Sequence, residues 1–137
     1  MQRSIKQVEY FHITVRDRPG EAYRFLERLS ASGVSLLAFN AVPAGLEQMQ
    51  LVLFPESPSQ LAKVAAERGL ELLGPHDALM IQGDDELGAL TDVHRLLFDA
   101  GVNVAASSGL SDGRGGYGYV IYVRDGDLAA ASRALGL

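Results

Sequence analysis

Asp17-Arg18-Pro19-Gly20, followed by Glu21-Ala22-Tyr23-Arg24-Phe25-Leu26-Glu27-Arg28-Leu29, is where an alternating apolar segment gives way to a helical one. Upstream, Phe11, Ile13 and Val15 share one face of a strand predicted over Ile5 to Val15, with Val8, Tyr10 and His12 on the other. Downstream, Ala22, Phe25, Leu26 and Leu29 follow the i, i+3, i+4, i+7 spacing of a buried helical stripe. At the junction Asp17 is a candidate cap, Pro19 suits a first helical turn that does not need its N–H, and Gly33 suits the left-handed position that ends a helix near Ser32. The boundary recurs in the second half of the chain as Asp85-Glu86-Leu87-Gly88. Laid over Asp77–Leu137 without a gap, Glu9–Gly69 matches at 11 of 61 positions, among them Gly20 with Gly88, Gly33-Val34 with Gly101-Val102 and Gly45 with Gly113. The chain is one motif written twice.

The first copy continues with strands over Val34 to Val42 and Gln48 to Phe54 joined at Pro43-Ala44-Gly45, a helix from Ser57-Pro58 to Gly69, and a short strand over Leu70 to Leu73. The order is βαββαβ, a split βαβ unit with an antiparallel sheet and both helices on one face. In the second copy the strands are predicted at Ala78 to Gln82, Val102 to Ser108 and Tyr117 to Val123, with helices at Gly88 to Ala100 and Asp125 to Leu135. The expected class is α+β: two ferredoxin-like repeats, residues 1–74 with an N-terminal strand extension over 1–8, and residues 75–137. The second lacks an evident final strand. Ser4–Val8, a neighbouring chain, or nothing could fill the vacant edge.

Bulk properties narrow the function classes. A chain of 137 residues buries enough surface for a core without staples. With no cysteine there is no disulfide framework and no thiolate chemistry. The net charge of −5 is spread without a block of like charge and offers nothing to a phosphate backbone, so no nucleic-acid partner is expected. No apolar run approaches the ~20 residues needed to span a bilayer, and the first residues lack a signal-peptide core. The expectation is a cytoplasmic protein without a membrane partner.

The motif at Ile13–Val34, strand, Asp-x-Pro-Gly, amphipathic helix, Gly-Val, strand, resembles an ACT domain, the ferredoxin-like module of amino-acid-responsive regulators. The second copy resembles it through Asp85–Leu90 and Ala100–Val104, and the spacing from Gly20 to Gly33 is kept from Gly88 to Gly101. The likeness implies a stand-alone tandem ACT protein whose paired copies bind an amino-acid effector at their seam. The implied ligand-binding positions are Asp17, Arg18, Pro19, Gly20, Ser35 and Leu36 in copy one, and Asp85, Glu86, Gly88, Asn103 and Val104 in copy two. Copy one has Ser35 where the family often has the asparagine seen at Asn103, and copy two has Leu87 in place of proline.

Backbone N–H groups near a glycine at a helix start can approach a ligand carboxylate, and Asp17, Asp85 and Asn103 can accept from an ammonium. The structural alternative is that Asp17 is an N-cap and the glycines permit close packing. Arg18 can clamp a carboxylate bidentately or stand as a solvated charge. His94 intrudes on an apolar helical face at the place of Leu26 and reads as a half-buried histidine with one satisfied nitrogen. His12 and His76 form no metal-ligand spacing, so no metal site and no cofactor are expected. Ser111-Asp112-Gly113-Arg114-Gly115-Gly116 lacks the following helix of a phosphate loop and reads as a mobile hairpin loop. Asp84-Asp85-Glu86 lies at a helix start, where acids are favoured anyway. Tyr117, Tyr119 and Tyr122 read as sheet residues, with Tyr119 facing the helices and the other two available to an interface.

The expected function is therefore non-catalytic: a regulatory protein, homodimeric, sensing an amino acid or similar metabolite on behalf of a metabolic enzyme. The rivals are an oligomerisation or docking module without a ligand, and a small enzyme on the same scaffold.

Overall fold

A computed structural model of the protein describes residues 3–137. Its elements are β1 (Arg3–Arg16), α1 (Glu21–Ala31), β2 (Leu36–Pro43), β3 (Gln48–Pro55), α2 (Pro58–Arg68), β4 (Leu73–Asp84), α3 (Ala89–Asp99), β5 (Val104–Ser111), β6 (Gly116–Val123), a 3-10 turn at Asp125–Asp127, and α4 (Leu128–Ala134). The chain divides into two compact units. The first is Glu9–His76, and the second joins the described residues up to Val8 to Asp77–Leu137. The fold is α+β, with two ferredoxin-like units.

In the first unit the strands lie in the order β2-β3-β1-β4. β3 pairs antiparallel with both neighbours, Phe11 opposite Leu53 and Phe39 opposite the same Leu53. Alternation sends Phe11, Leu51 and Leu53 to one side, where Phe25 and Leu29 of α1 and Leu61 and Val64 of α2 close over them. Both helices thus share one face. Burying each of these side chains contributes about 1.5–3 kcal/mol, which is why the stripe at helical spacing and the alternation in β1 and β3 select this packing.

The second unit repeats the plan in the order β1-β4-β6-β5, with Leu79 opposite Ile121 and Ser107 opposite the same Ile121. Its core gathers Leu79, Ile81, Tyr117, Tyr119 and Ile121 from the strands, Ala89, Val93 and Leu97 from α3, and Ala131 and Leu135 from the C-terminal segment. Ile5 packs against the same cluster. The edge that the second copy's own sequence leaves open is taken by residues 3–8 of β1, the first of the three options named above.

β4 departs from the sequence reading. The sequence reading has one strand over Leu70 to Leu73 and another from Ala78, but residues 70–72 lie outside any strand and a single strand runs from Leu73 through to Asp84. Gly74 makes this possible. It adopts φ +136°, and a Cβ placed there would lie 2.9 Å from the Tyr10 carbonyl oxygen and 3.0 Å from the Phe11 ring. Only a residue without a side chain lets β1 and β4 come this close while holding that dihedral.

The helix starts differ in kind. Ser57 caps α2, its Oγ accepting the Gln60 N–H at 3.3 Å, with Pro58 opening the helix. α1 and α3 instead begin after left-handed glycines, Gly20 at φ +89° and Gly88 at φ +84°, with no side-chain cap. Asp17 therefore does not cap α1, and Pro19 lies before the helix instead of in its first turn. The left-handed glycine turns the chain before a side chain at position 17 can reach the helical amides.

Replacing Gly74 by alanine is expected to destabilise the protein by about 2 kcal/mol or more, since strain and a backbone clash act together. Gly118→Ala, at an unstrained strand position with open space around it, should cost less than about 1 kcal/mol. Urea denaturation followed by circular dichroism measures both, and equal losses would contradict the role given to Gly74.

Candidate ligand-binding site

In each unit a cavity opens at the turn between the unit's first full strand and first helix. In the first unit it measures about 640 Å³ and is lined by Arg16, Asp17, Arg18, Leu46, Glu47 and Gln48. Register explains the company: Arg16 pairs with Gln48, so the β2–β3 hairpin returns beside the turn, and the Asp17 N–H donates to the Glu47 carbonyl at 2.9 Å. Glu21 sits between two guanidinium groups, 2.8 Å from Arg18 and 3.7 Å from Arg24. The hydrogen bond from Arg18 holds the Glu21 carboxyl below its ordinary value of 4.5, with the nearby positive charges of Arg18, Arg24 and Arg16 adding to it. Arg24 also folds over Gly20, so that a Cβ there would meet its guanidinium at 2.7 Å.

The second unit's cavity, about 670 Å³, is bounded by the turn Asp85–Gly88, by Leu90 and Thr91 of α3, and by Gly109–Ser111 and Tyr117–Tyr119 of the β5–β6 hairpin. Asp84 pairs with Gly116, and the Asp85 N–H donates to the Gly115 carbonyl at 2.8 Å. Ser111 Oγ donates to Asp85 Oδ2 at 2.9 Å, fastening the hairpin to the turn. The hairpin loop is itself tied: Asp112 Oδ1 accepts the N–H groups of Arg114 at 2.6 Å and Gly116 at 3.0 Å. The segment is the hairpin loop expected from sequence, joining β5 to β6.

Of the residues named from sequence, Asp17 and Arg18 line the first cavity and Asp85, Glu86 and Gly88 the second. Gly20 supports the first turn without lining it, as does Pro19 just before it. Ser35, Leu36, Asn103 and Val104 lie elsewhere. The Ser35 carbonyl accepts from Glu56 N–H, and Leu36 pairs with Pro55, at the end of β3 remote from Gln48. Eight residues of strand separate the two ends by roughly 23 Å. Val104 opposite Val123 repeats this in the second unit. One unit by itself does not bring the two groups together. The hairpin residues Leu46–Gln48, Gly109–Ser111 and Tyr117–Tyr119 were missed from sequence; the signal that could have found them is the strand register beside each turn.

Two aromatic arrangements complete the picture. Tyr117 and Tyr119 both belong to the second unit's core, so Tyr117 is not the interface residue that its sequence position suggests. His94 is exposed, with its Nε2 2.7 Å from the Tyr119 hydroxyl. In the first unit His12 and His76 stack at 5.0 Å and 13°, with Tyr10 5.1 Å from His76 and 5.2 Å from Phe54. Among the described residues no group of three or more His, Cys, Asp or Glu is placed to hold a metal ion, and no helix is long and apolar enough to cross a membrane.

No protein-family model matches the chain, and no curated protein matches it in sequence. In three dimensions it is similar to protein BT0572 from Bacteroides thetaiotaomicron, with a TM-score of 0.78 and 17% identity over 96% of this chain and 88% of that one. It is also similar to the regulatory subunit of aspartate kinase from Thermus flavus, TM-score 0.64 and 17% identity over 98% and 95% of the two chains. The aspartokinase alpha and beta subunits follow at 0.61 and 16%, over 98% and 95%. The chain has an ACT-like fold. At these identities the likeness carries the fold, and each ACT-like unit's chemistry rests on its own residues.

Burial, and then the neighbouring His76, lower the His12 pKa from its ordinary 6.5. Because the folded state binds that proton less readily than the unfolded chain, the full stability is present above about pH 6.5 and is lost as pH falls through the lowered folded value. His12→Gln is expected to flatten that part of the stability–pH curve. Denaturation midpoints measured from neutral to mildly acidic pH report it, and an unchanged slope would contradict the assignment.

Proposed function

We propose that this chain is a non-catalytic regulatory protein of the tandem ACT kind, binding an amino acid or a similar small metabolite at its strand-to-helix turns. The observation that carries the reading is recurrence: the cavities of about 640 Å³ and 670 Å³ lie at the same turn of the two units, each beside a helix start that no side chain caps. In the second unit, where Gly88, Ala89, Leu90 and Thr91 border the cavity, the uncapped start presents N–H groups and the positive end of the helix dipole to an anion; in the first that part falls to Arg16 and Arg18, and Asp17 or Asp85 supplies acceptors for an ammonium. The two chemistries at one turn match a zwitterion. Regulatory subunits among the similar structures fit this reading.

Each unit keeps its turn at the far end from its own Ser35 or Asn103. A ligand touching residues of both sets needs two units to hold it, and a homodimer is one way to supply them. Binding would then favour one arrangement by no more than the ligand's difference in affinity between arrangements.

A docking module is the second reading, favoured by exposed apolar side chains at the second turn and at the far end of α3. Leu87 is fully exposed, and Phe98 and Leu110 are about four-fifths exposed. Thermal denaturation with each of the twenty amino acids separates the two. A ligand present at a hundred times its Kd stabilises by about 2.7 kcal/mol, a shift of several degrees for a chain of this size. Stabilisation by one amino acid or a few, lost in Gly88→Val, is expected; no shift from any of them would remove the sensor reading and leave the docking module.

A further inference from the structure

The outward sides of the two units' first helices carry different chemistry. Leu87, Leu90 and Phe98 of the second unit stand where the first has Pro19, Ala22 and Ser30. Leu87 is fully exposed, Phe98 about four-fifths and Leu90 two-fifths, so these three alone leave roughly 400 Å² of apolar surface to water. Leu90, His94 and Phe98 are four residues apart and form one ridge along α3. With Thr91 and Arg95 they bound an open hollow of about 580 Å³. Leu90 and Thr91 also border the cavity at the turn, together with Leu87, so the apolar strip is continuous from Leu87 to Phe98. In the first unit the exposed ring on the equivalent helix is Tyr23, whose hydroxyl donates to Glu27 at 2.9 Å, and Leu26, in the place of His94, is partly buried.

The strip lies on the side of α3 that faces the sheet edge. His94 Nε2 is 2.7 Å from the Tyr119 hydroxyl of β6, and Leu90 shares its cavity with Gly109 and Ser111 of β5. β5 ends the sheet, is exposed from Ala105 to Ser111 and carries no charge, so nothing on it repels another strand. Strip and edge together approach the area of about 800 Å² per partner that a stable interface buries. Charge decides which partner fits. A strand without charges can lie antiparallel to its own copy with no like charges opposed. The strip begins beside Asp85 and Glu86 and has Arg95 in its second half. A two-fold axis across α3 sets Glu86 of each copy against Arg95 of the other, opposes the two helix dipoles and packs Leu90 against Phe98. Within its own chain Arg95 makes only exposed pairs, 3.4 Å from Asp92 and 3.8 Å from Asp99, on the flank away from Leu90 and His94, and such pairs are weak.

We propose that the α3 strip of the second unit, with the β5 edge beside it, is the surface on which two copies of this chain associate about a two-fold axis, α3 antiparallel to α3, and that the corresponding face of the first unit takes no part. This does not rest on the turns being ligand sites. It commits the exposed apolar residues of α3 to one occupant, a second copy.

Sedimentation equilibrium of the full chain, from micromolar to submillimolar concentration at pH 7 and moderate salt, tests it. A dimer is expected. Phe98→Glu and Leu87→Glu, both at exposed positions, should each weaken it about tenfold or more, as loss of a central apolar contact does. Leu46→Glu, at an equally exposed leucine of the first unit, should leave it unchanged. Glu86→Arg and Arg95→Glu should each weaken association and, combined in one chain, restore it. Circular dichroism shows whether each variant keeps its fold; should Arg95→Glu disturb α3, the two apolar substitutions carry the comparison. A chain that stays monomeric throughout the range would overturn the proposal and leave the strip to a different partner. A dimer indifferent to Phe98→Glu and Leu87→Glu, or one lost in Leu46→Glu, would overturn it by placing the interface elsewhere. A combined swap that fails to restore a well-folded dimer would overturn the antiparallel arrangement. Thermal shifts with amino acids, read on the same wild-type chain, report on the sensor reading separately.

Discussion

A strand's backbone donors and acceptors need partners on both sides or protection from water, and this constraint organises the whole chain. The second repeat supplies only three strands of its own, which leaves one side of β4 without a partner. Residues 3–8 take that place, and Ile5 anchors them in the second unit's core. In return, the start of β4 completes the first unit as its fourth strand. β1 at 14 residues and β4 at 12 are each about twice the usual length, because each is two strands of the ferredoxin-like plan joined end to end. Cut at Asp77, where the second copy begins, the second repeat would hold three strands and not four.

That exchange also marks how far the sequence could be followed. The helix stripes, the hairpins and the doubled βαββαβ order were legible because each depends on residues near one another, with apolar spacing matching the backbone period. The passage of β4 through Gly74-Pro75 was not. Glycine and proline together signal a linker, and only the approach of Tyr10 from β1 shows that the glycine serves a strand pairing. The start of α1 misled for a related reason: Asp17 has the chemistry of a cap, but the left-handed turn at Gly20 removes it from the amides. His12 and His76 stand far apart in sequence and meet through strand pairing, which no local spacing announces.

The candidate site divides along the same line. Asp17, Arg18, Asp85, Glu86 and Gly88 were found because the motif containing them is contiguous. The hairpin residues that close each cavity come from another part of the chain and arrive through register. Ser35 and Asn103 entered through family likeness alone, and the length of β3 and β6 places them at the opposite end of their units.

What the duplication preserved is backbone geometry, and what it released is side-chain chemistry. Gly20 and Gly88, Gly33 and Gly101, and Gly45 and Gly113 all hold positive φ, where another residue would be strained. Around them the side chains changed together. Leu51 of the first unit corresponds to Tyr119, Ala41 to Gly109 and Leu26 to His94. Ala41 faces Leu51 across the hairpin as Gly109 faces Tyr119, and a Cβ at position 109 would stand 2.8 Å from the tyrosine ring. The larger ring requires the loss of the alanine methyl, and its hydroxyl, carried to the helix surface, finds His94 Nε2. His94 is therefore accounted for by the tyrosine it satisfies. The enlarged aromatic wall, not the histidine, distinguishes the second unit's cavity from that of the first.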